Sequence, residues 1–69
     1  MDNKRLLGQR IKELRKAQKI TQERLAELTN ISRNSVSLIE TGKINPTILK
    51  VLDIANVLET DISSLTKNI

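Results

Sequence analysis

Arg33, Asn34, Ser37, Leu38 and Thr41 follow one another at intervals of one, three, one and three residues, so on a helix they share one outward side. Their chemistry is recognition by hydrogen bonding. The planar fork of Arg33 can pair bidentately with guanine O6 and N7 or grip a phosphate. The Asn34 amide matches an adenine edge, the Ser37 hydroxyl suits either base type or a phosphate, and Leu38 can touch a thymine methyl. Bond-making chemistry finds little to work with. The chain has no His and no Cys, and its only glycines are Gly8 and Gly42. It therefore lacks the usual general base, a thiol nucleophile and a glycine-rich phosphate loop. The acidic residues lie on helical patterns that explain them as solvated charge. No enzyme activity, cofactor, metal site or small-molecule substrate is expected.

The elements that must hold these side chains are two short helical patterns, Gln22 to Thr29 and Arg33 to Thr41, separated only by Asn30, Ile31 and Ser32. Three residues allow a tight corner and nothing else, so the pair forms a helix-turn-helix. Asn30 falls where the first helix must end and the backbone needs positive φ, which its short amide tolerates. Ile31 can then drop into the core. Ser32 can cap the next helix, or reach a base as well. Leu25, Leu28, Ile31, Val36 and Ile39 supply the expected apolar face, with Ala26 at the closest crossing.

Around this corner the chain reads as three further helices. Leu7, Ile11 and Leu14 mark an amphipathic helix over about Asn3 to Gln18, in which Gly8 implies either a weak first turn or a close backbone approach. Thr21 is placed to cap the second helix, and Glu23 in its first turn suits the positive end of the helix dipole. Gly42 stops the third helix. Thr47 caps a fourth, about Thr47 to Leu58, with Ile48, Val51, Leu52, Ala55 and Leu58 facing inward, Ile54 at the edge of that stripe, and Leu49 and Val57 off it. Asp61 caps a short fifth helix with Ile62 and Leu65 inward. One all-α domain over residues 1–69 is expected.

Charge is unevenly spread. The formal net charge is +4, yet residues 1–19 hold seven Lys or Arg against two acids, and residues 51–69 hold one against three. A basic end attracts polyanions, the phosphate backbone foremost. The chain has no aromatic residue, and single-stranded nucleic acid is usually held by stacking on aromatic rings, so double-stranded DNA is the expected partner. No run approaches the roughly 20 apolar residues of a membrane span and no signal-peptide pattern is present, so no membrane contact and a cytoplasmic location are expected.

Three runs carry a family resemblance. T-Q-E-R-L-A-E-L from Thr21, I-S-R-N-S-V-S-L-I-E-T-G from Ile31 and N-P-T-I-L-K-V-L-D-I-A from Asn45 resemble the lambda-repressor/Cro-like helix-turn-helix family, also called the xenobiotic response element type. The likeness runs from about Leu7 to Leu65. It implies a compact five-helix domain whose third helix lies in the major groove while the second bridges to the backbone. Base contacts then fall to Ser32, Arg33, Asn34, Ser37 and Leu38, although the position of Leu38 is often polar in the family. Backbone contacts fall to Arg10, Thr21, Gln22, Ser35, Thr41, Lys43 and Asn45, and Gln22 could equally serve only as a polar helix start. The resemblance further implies an ion pair between Arg15 and Glu40. It also implies a homodimer on a palindromic operator, for which Leu49, Val57, Ile62 and Ile69 are the apolar candidates. Glu59 stands where the family usually has Gly, so that helix end is expected to be less sharply defined. The expected function is sequence-specific transcriptional regulation, most simply repression. The alternative is a protein-partner module, such as the antitoxin of a toxin-antitoxin pair.

Overall fold

Every helix among the described residues begins with a side chain that satisfies an orphan backbone N–H. In the computed structural model, which describes residues 2–69, the helices are α1 (Asn3–Ala17), α2 (Gln22–Thr29), α3 (Arg33–Glu40), α4 (Ile48–Val57) and α5 (Ile62–Thr66), with no strand among the described residues. Asp2, Thr21, Ser32, Thr47 and Asp61 precede them. Each accepts from the N–H two or three residues on, at 2.7 to 3.3 Å. Such a cap contributes about 1 kcal/mol. Bonding to the Ser64 backbone N–H, and then to the Ser64 hydroxyl, holds the Asp61 carboxyl below the usual carboxylate range. The cap of α5 therefore acts above the unfolded carboxylate value and is lost as pH falls through the folded one.

The helix ends share a second local device. After α1 to α4, Lys19, Asn30, Gly42 and Glu59 take φ of 58°, 56°, 73° and 54°. In each case the next residue's N–H reaches back five positions, Ile20 to Arg15, Ile31 to Ala26, Lys43 to Leu38 and Thr60 to Ala55, at 2.9 to 3.1 Å. This is the Schellman closure. The end of α4 is thus as sharply made as the others, contrary to the expectation drawn from Glu59. The backbone bonds outweigh the left-handed cost of a non-glycine residue, which is about 1–2 kcal/mol. Glu59→Gly is expected to raise stability by about 1 kcal/mol, because it removes that cost and also a carboxylate from the negative end of a helix. Thermal unfolding would show a gain of roughly 4–8 °C in a domain of this size. No gain would mean that Glu59 is held by something beyond these bonds.

Leu7, Ile11, Leu25, Ala26, Val36, Ile39, Val51, Ile54, Ala55, Leu58 and Leu65 form the core, with Leu14, Ile20, Ile31, Val57 and Ile62 packed partly against it. Helix α1 packs on α3 and α5, α2 on α3 and α4, and α4 on α5. Three expected core residues lie outside. Leu28 is 46% exposed, Ile48 61% and Leu52 41%, whereas Ile54, expected only at the stripe's edge, is 1% exposed. In α2 the buried line is Leu25, Ala26 and Thr29. Thr29 can be buried because its hydroxyl donates to the Leu25 carbonyl at 2.6 Å. Helix α4 is apolar around most of its girth, so its periodicity fits several inward faces, and contact with α2 and α5 selects the one centred on Val51, Ile54, Ala55 and Leu58.

Gly8 is buried, and the choice left open for it is settled. A Cβ there would press into the Ile39 carbonyl oxygen and lie 2.8 Å from that of Glu40. The α1 backbone therefore passes directly over the last turn of α3. At Gly42 a Cβ would lie 2.6 Å from the Arg5 Cα, so the basic first turns of α1 sit beside the turn that follows α3.

Candidate nucleic-acid interface

What aims α3 is a buried polar network at its far end. The Arg15 fork meets Glu40 as the family resemblance implied: Nε donates to Oε2 at 2.6 Å and Nη2 to Oε1 at 3.0 Å, with the two side chains only 9% and 1% exposed. Arg15 Nη1 also donates to the Ile20 carbonyl at 2.7 Å, and Gln22 Nε2 donates to Glu40 Oε1 at 3.1 Å. Among the described residues no buried side-chain N or O atom lacks a partner. The Glu40 carboxylate thus ties together α1, the start of α2 and the end of α3, and Arg15 extends the network to the α1–α2 loop. A bidentate Arg–carboxylate pair restrains orientation as well as distance, so α3 is fixed against α1, and the Gln22 bond ties the start of α2 to the same carboxylate.

The opposite, N-terminal end of α3 carries the candidate reading residues. Arg33 and Asn34 are exposed there, while Ser37 and Leu38 are half-buried along the same side. Gln22, Arg33, Asn34 and Ser37 line one shallow concavity. The fold therefore brings the three polar α3 candidates together with the first residue of α2. Ser32 acts as a cap: its Oγ accepts the Ser35 N–H at 3.0 Å and donates to Ser35 Oγ at 2.9 Å. Ser35 keeps its own hydroxyl proton to donate.

The expected backbone-contacting residues divide. Thr21 caps α2 through Arg24 N–H at 3.0 Å, and Lys43 and Asn45 are exposed in the loop between α3 and α4. Gln22 directs its amide nitrogen inward to Glu40, which leaves its carbonyl oxygen and one amide hydrogen free. Thr41 donates its hydroxyl proton to the Ser37 carbonyl at 2.9 Å and so can only accept from an outside group. Arg10 lies elsewhere, in a concavity shared with Glu13, Leu14, Ala17, Thr60 and Ser64. Its Nη1 donates to the Leu65 carbonyl at 3.1 Å, holding α5 against α1, and four of its five N–H groups remain.

Two side-chain contacts between α2 and α3 escaped the sequence reading. One is the inward bond of Gln22. The other is an ion pair at the reading end, where Glu23 Oε1 lies 3.9 Å from Arg33 Nε. Glu23 fits the dipole of its own helix, and nothing local to α2 signals a second role across the corner.

Of the four dimer candidates, Leu49 and Ile69 are exposed, while Val57 and Ile62 pack partly into the core. Ile44, Ile48 and Leu52 add to the exposed apolar surface at and before α4. No helix among the described residues is long and apolar enough to cross a membrane.

Comparison with known proteins agrees with this geometry. The helix-turn-helix family HTH_3 matches residues 11–65. The immunity repressor protein of Bacillus phage phi105 is 39% identical over 59 residues, a match that covers 86% of this chain and 41% of that protein. An uncharacterized HTH-type transcriptional regulator of Sinorhizobium fredii, y4dJ, is 31% identical over 58 residues, covering 84% of this chain and 75% of the relative. This chain thus spans about two fifths of the phage protein's length and three quarters of the other's. The crystal structure of the restriction-modification controller protein C.AhdI from Aeromonas hydrophila is similar with a TM-score of 0.89 at 32% identity, over 94% of this chain and 98% of that one. With five helices among the described residues, a three-residue α2–α3 corner and a family match across most of its length, the chain belongs to the HTH_3 helix-turn-helix family of DNA-binding transcriptional regulators, which are not enzymes.

Proposed function

We propose that this chain acts in the cytoplasm as a repressor and binds a palindromic double-stranded operator as a homodimer, with α3 in the major groove of each half-site. The observation that carries the proposal is the grouping of Gln22, Arg33, Asn34 and Ser37 around one concavity at the free end of α3. Arg33, 67% exposed at its side chain, has donors to spare for guanine O6 and N7. Asn34 pairs with adenine and Ser37 with a neighbouring base. Leu38, half-buried, offers only an edge to a thymine methyl. Thr21, Gln22, Ser35, Lys43 and Asn45 flank the helix and hold phosphates, Thr41 joins them when its hydroxyl turns from the Ser37 carbonyl to donate outward, and Arg10 and the basic turns of α1 add positive potential. Such contacts supply affinity rather than sequence preference. The name of the phage phi105 relative, an immunity repressor, favours repression over activation.

A single small domain buries limited DNA surface, and pairing on adjacent half-sites overcomes this. Leu49 and Ile69, joined by Ile44, Ile48 and Leu52, are the exposed apolar residues for the dimer seam, with Val57 and Ile62 behind them. The same exposed residues are what a second reading draws on, that of a partner-binding module such as an antitoxin.

Selection of sites from random duplex DNA at two salt concentrations tests the proposal. The expected product is an inverted repeat with half-site centres about 34 Å apart, bound much more weakly at the higher salt. Sedimentation should show dimers on that site. Failure to enrich any sequence, with a monomer at all concentrations, would favour the partner-binding reading.

A further inference from the structure

We propose that Glu23 is a specificity-determining positioning residue, which holds the Nε edge of Arg33 so that the two Nη groups face a guanine and are kept from the neighbouring phosphates. The inference rests on the reading of Arg33 as a base-contacting residue.

Glu23 Oε1 lies 3.9 Å from Arg33 Nε, with the two side chains 70% and 67% exposed. An ion pair so open to water adds little to folding stability. Its placement is costly for a polyanion-binding surface, because a carboxylate beside the concavity of Gln22, Arg33, Asn34 and Ser37 repels incoming phosphates. That cost is offset if the carboxylate acts on the one cation beside it. The other acid of this helix surface, Glu27, is paired instead with Arg24 at 3.5 Å. Glu23, Glu27 and Arg33 line the adjoining hollow at the corner with Asn30, Ile31 and Ser32, so Glu23 meets Arg33 in a hollow next to the reading concavity and not within it.

The consequence follows from the shape of the guanidinium. Its five N–H donors lie in one plane, and guanine needs two of them in parallel. A flexible, unheld Arg33 can swing to the phosphate backbone and bind every sequence equally. A carboxylate beside Nε restricts that swing and leaves the Nη pair unengaged. When the groove excludes water, the weak surface pair strengthens, since the same charges interact more strongly at lower effective dielectric.

The test compares the parent, Glu23→Gln, Arg33→Ala and the double variant on the selected site and on variants of each base pair. The parent is expected to prefer one G·C pair by roughly 5- to 150-fold, the range of a good bidentate contact. Arg33→Ala should abolish that preference. Glu23→Gln should lower it at least about threefold while tightening binding to unrelated duplex, because one repelling charge is gone. On the Arg33→Ala background Glu23→Gln should have no further effect on base preference. If Arg33→Ala abolishes the preference and Glu23→Gln leaves it unchanged, altering only thermal stability, Glu23 serves the α2 dipole alone; the inference then fails and the base-reading role of Arg33 stands. If Glu23→Gln changes base preference without Arg33 present, Glu23 reads a base itself and positioning is refuted. If Arg33→Ala preserves every preference, the base-reading assignment falls and the inference with it.

Discussion

Glu40→Ala is expected to destabilise the protein by about 3–5 kcal/mol, the loss that follows removal of one partner from a buried ion pair. Glu40 accepts three hydrogen bonds, two from Arg15 and one from Gln22. Without it the Arg15 guanidinium, 9% exposed, keeps only its bond to the Ile20 carbonyl and leaves a charge without a counter-ion in the interior. A chain of 69 residues has a total stability of roughly 3–10 kcal/mol at 0.05–0.15 kcal/mol per residue. The variant should therefore lose at least about a third of that stability, and all of it if the parent lies at the low end of the range, as far-ultraviolet circular dichroism during thermal and urea unfolding would show. Replacing both partners by apolar residues of similar volume, as in Arg15→Met with Glu40→Leu, should be much milder because no uncompensated charge remains. The apolar variant should nevertheless bind DNA less selectively, since the geometry that aims α3 is lost with the fork. A Glu40→Ala protein within about 1 kcal/mol of the parent would show that the network adds little stability.

Gly8→Ala should cost about 3 kcal/mol or more, against the gain of about 1 kcal/mol that glycine-to-alanine brings in an exposed helix. The added methyl meets the Ile39 and Glu40 carbonyls, which are backbone atoms and have no rotamer through which to withdraw. The helices must separate instead. That pulls Leu7 and Ile11 out of the core and misaligns Arg15 from Glu40 two turns further along α1. A fall in Tm of more than about 12 °C is expected, at 4–8 °C per kcal/mol. An increase in Tm would mean that α1 and α3 do not pass this closely.

Both effects arise where α1 crosses α3, and the sequence marked that crossing unevenly. Gly8 stood out as an anomaly in a helix, with two explanations open. The pairing of Arg15 with Glu40 came from family resemblance and not from the residues, since 25 positions separate them. The helix starts, by contrast, were legible residue by residue. Thr21, Ser32, Thr47 and Asp61 each cap the helix assigned to them, and Asn30 turns α2 with positive φ as its amide allows. Lys19 and Glu59 make the same turn without any local sign, because their conformation is imposed by bonds from the residues that follow.

The sequence by itself determined where helices start, that a three-residue corner joins α2 to α3, and that Arg33, Asn34 and Ser37 leave that corner on a side not needed for the core. These are interactions within about four residues, and the chain carries them wherever it is placed. Tertiary structure decided the rest. It turned Ile54 inward and left Ile48 and Leu52 in solvent, because a helix apolar around most of its girth offers several inward faces until α2 and α5 pack on it. It drew Gln22 to Glu40 and set Glu23 beside Arg33. Contacts of that kind depend on the angle between two rigid helices, and that angle comes into being only when the core closes on both.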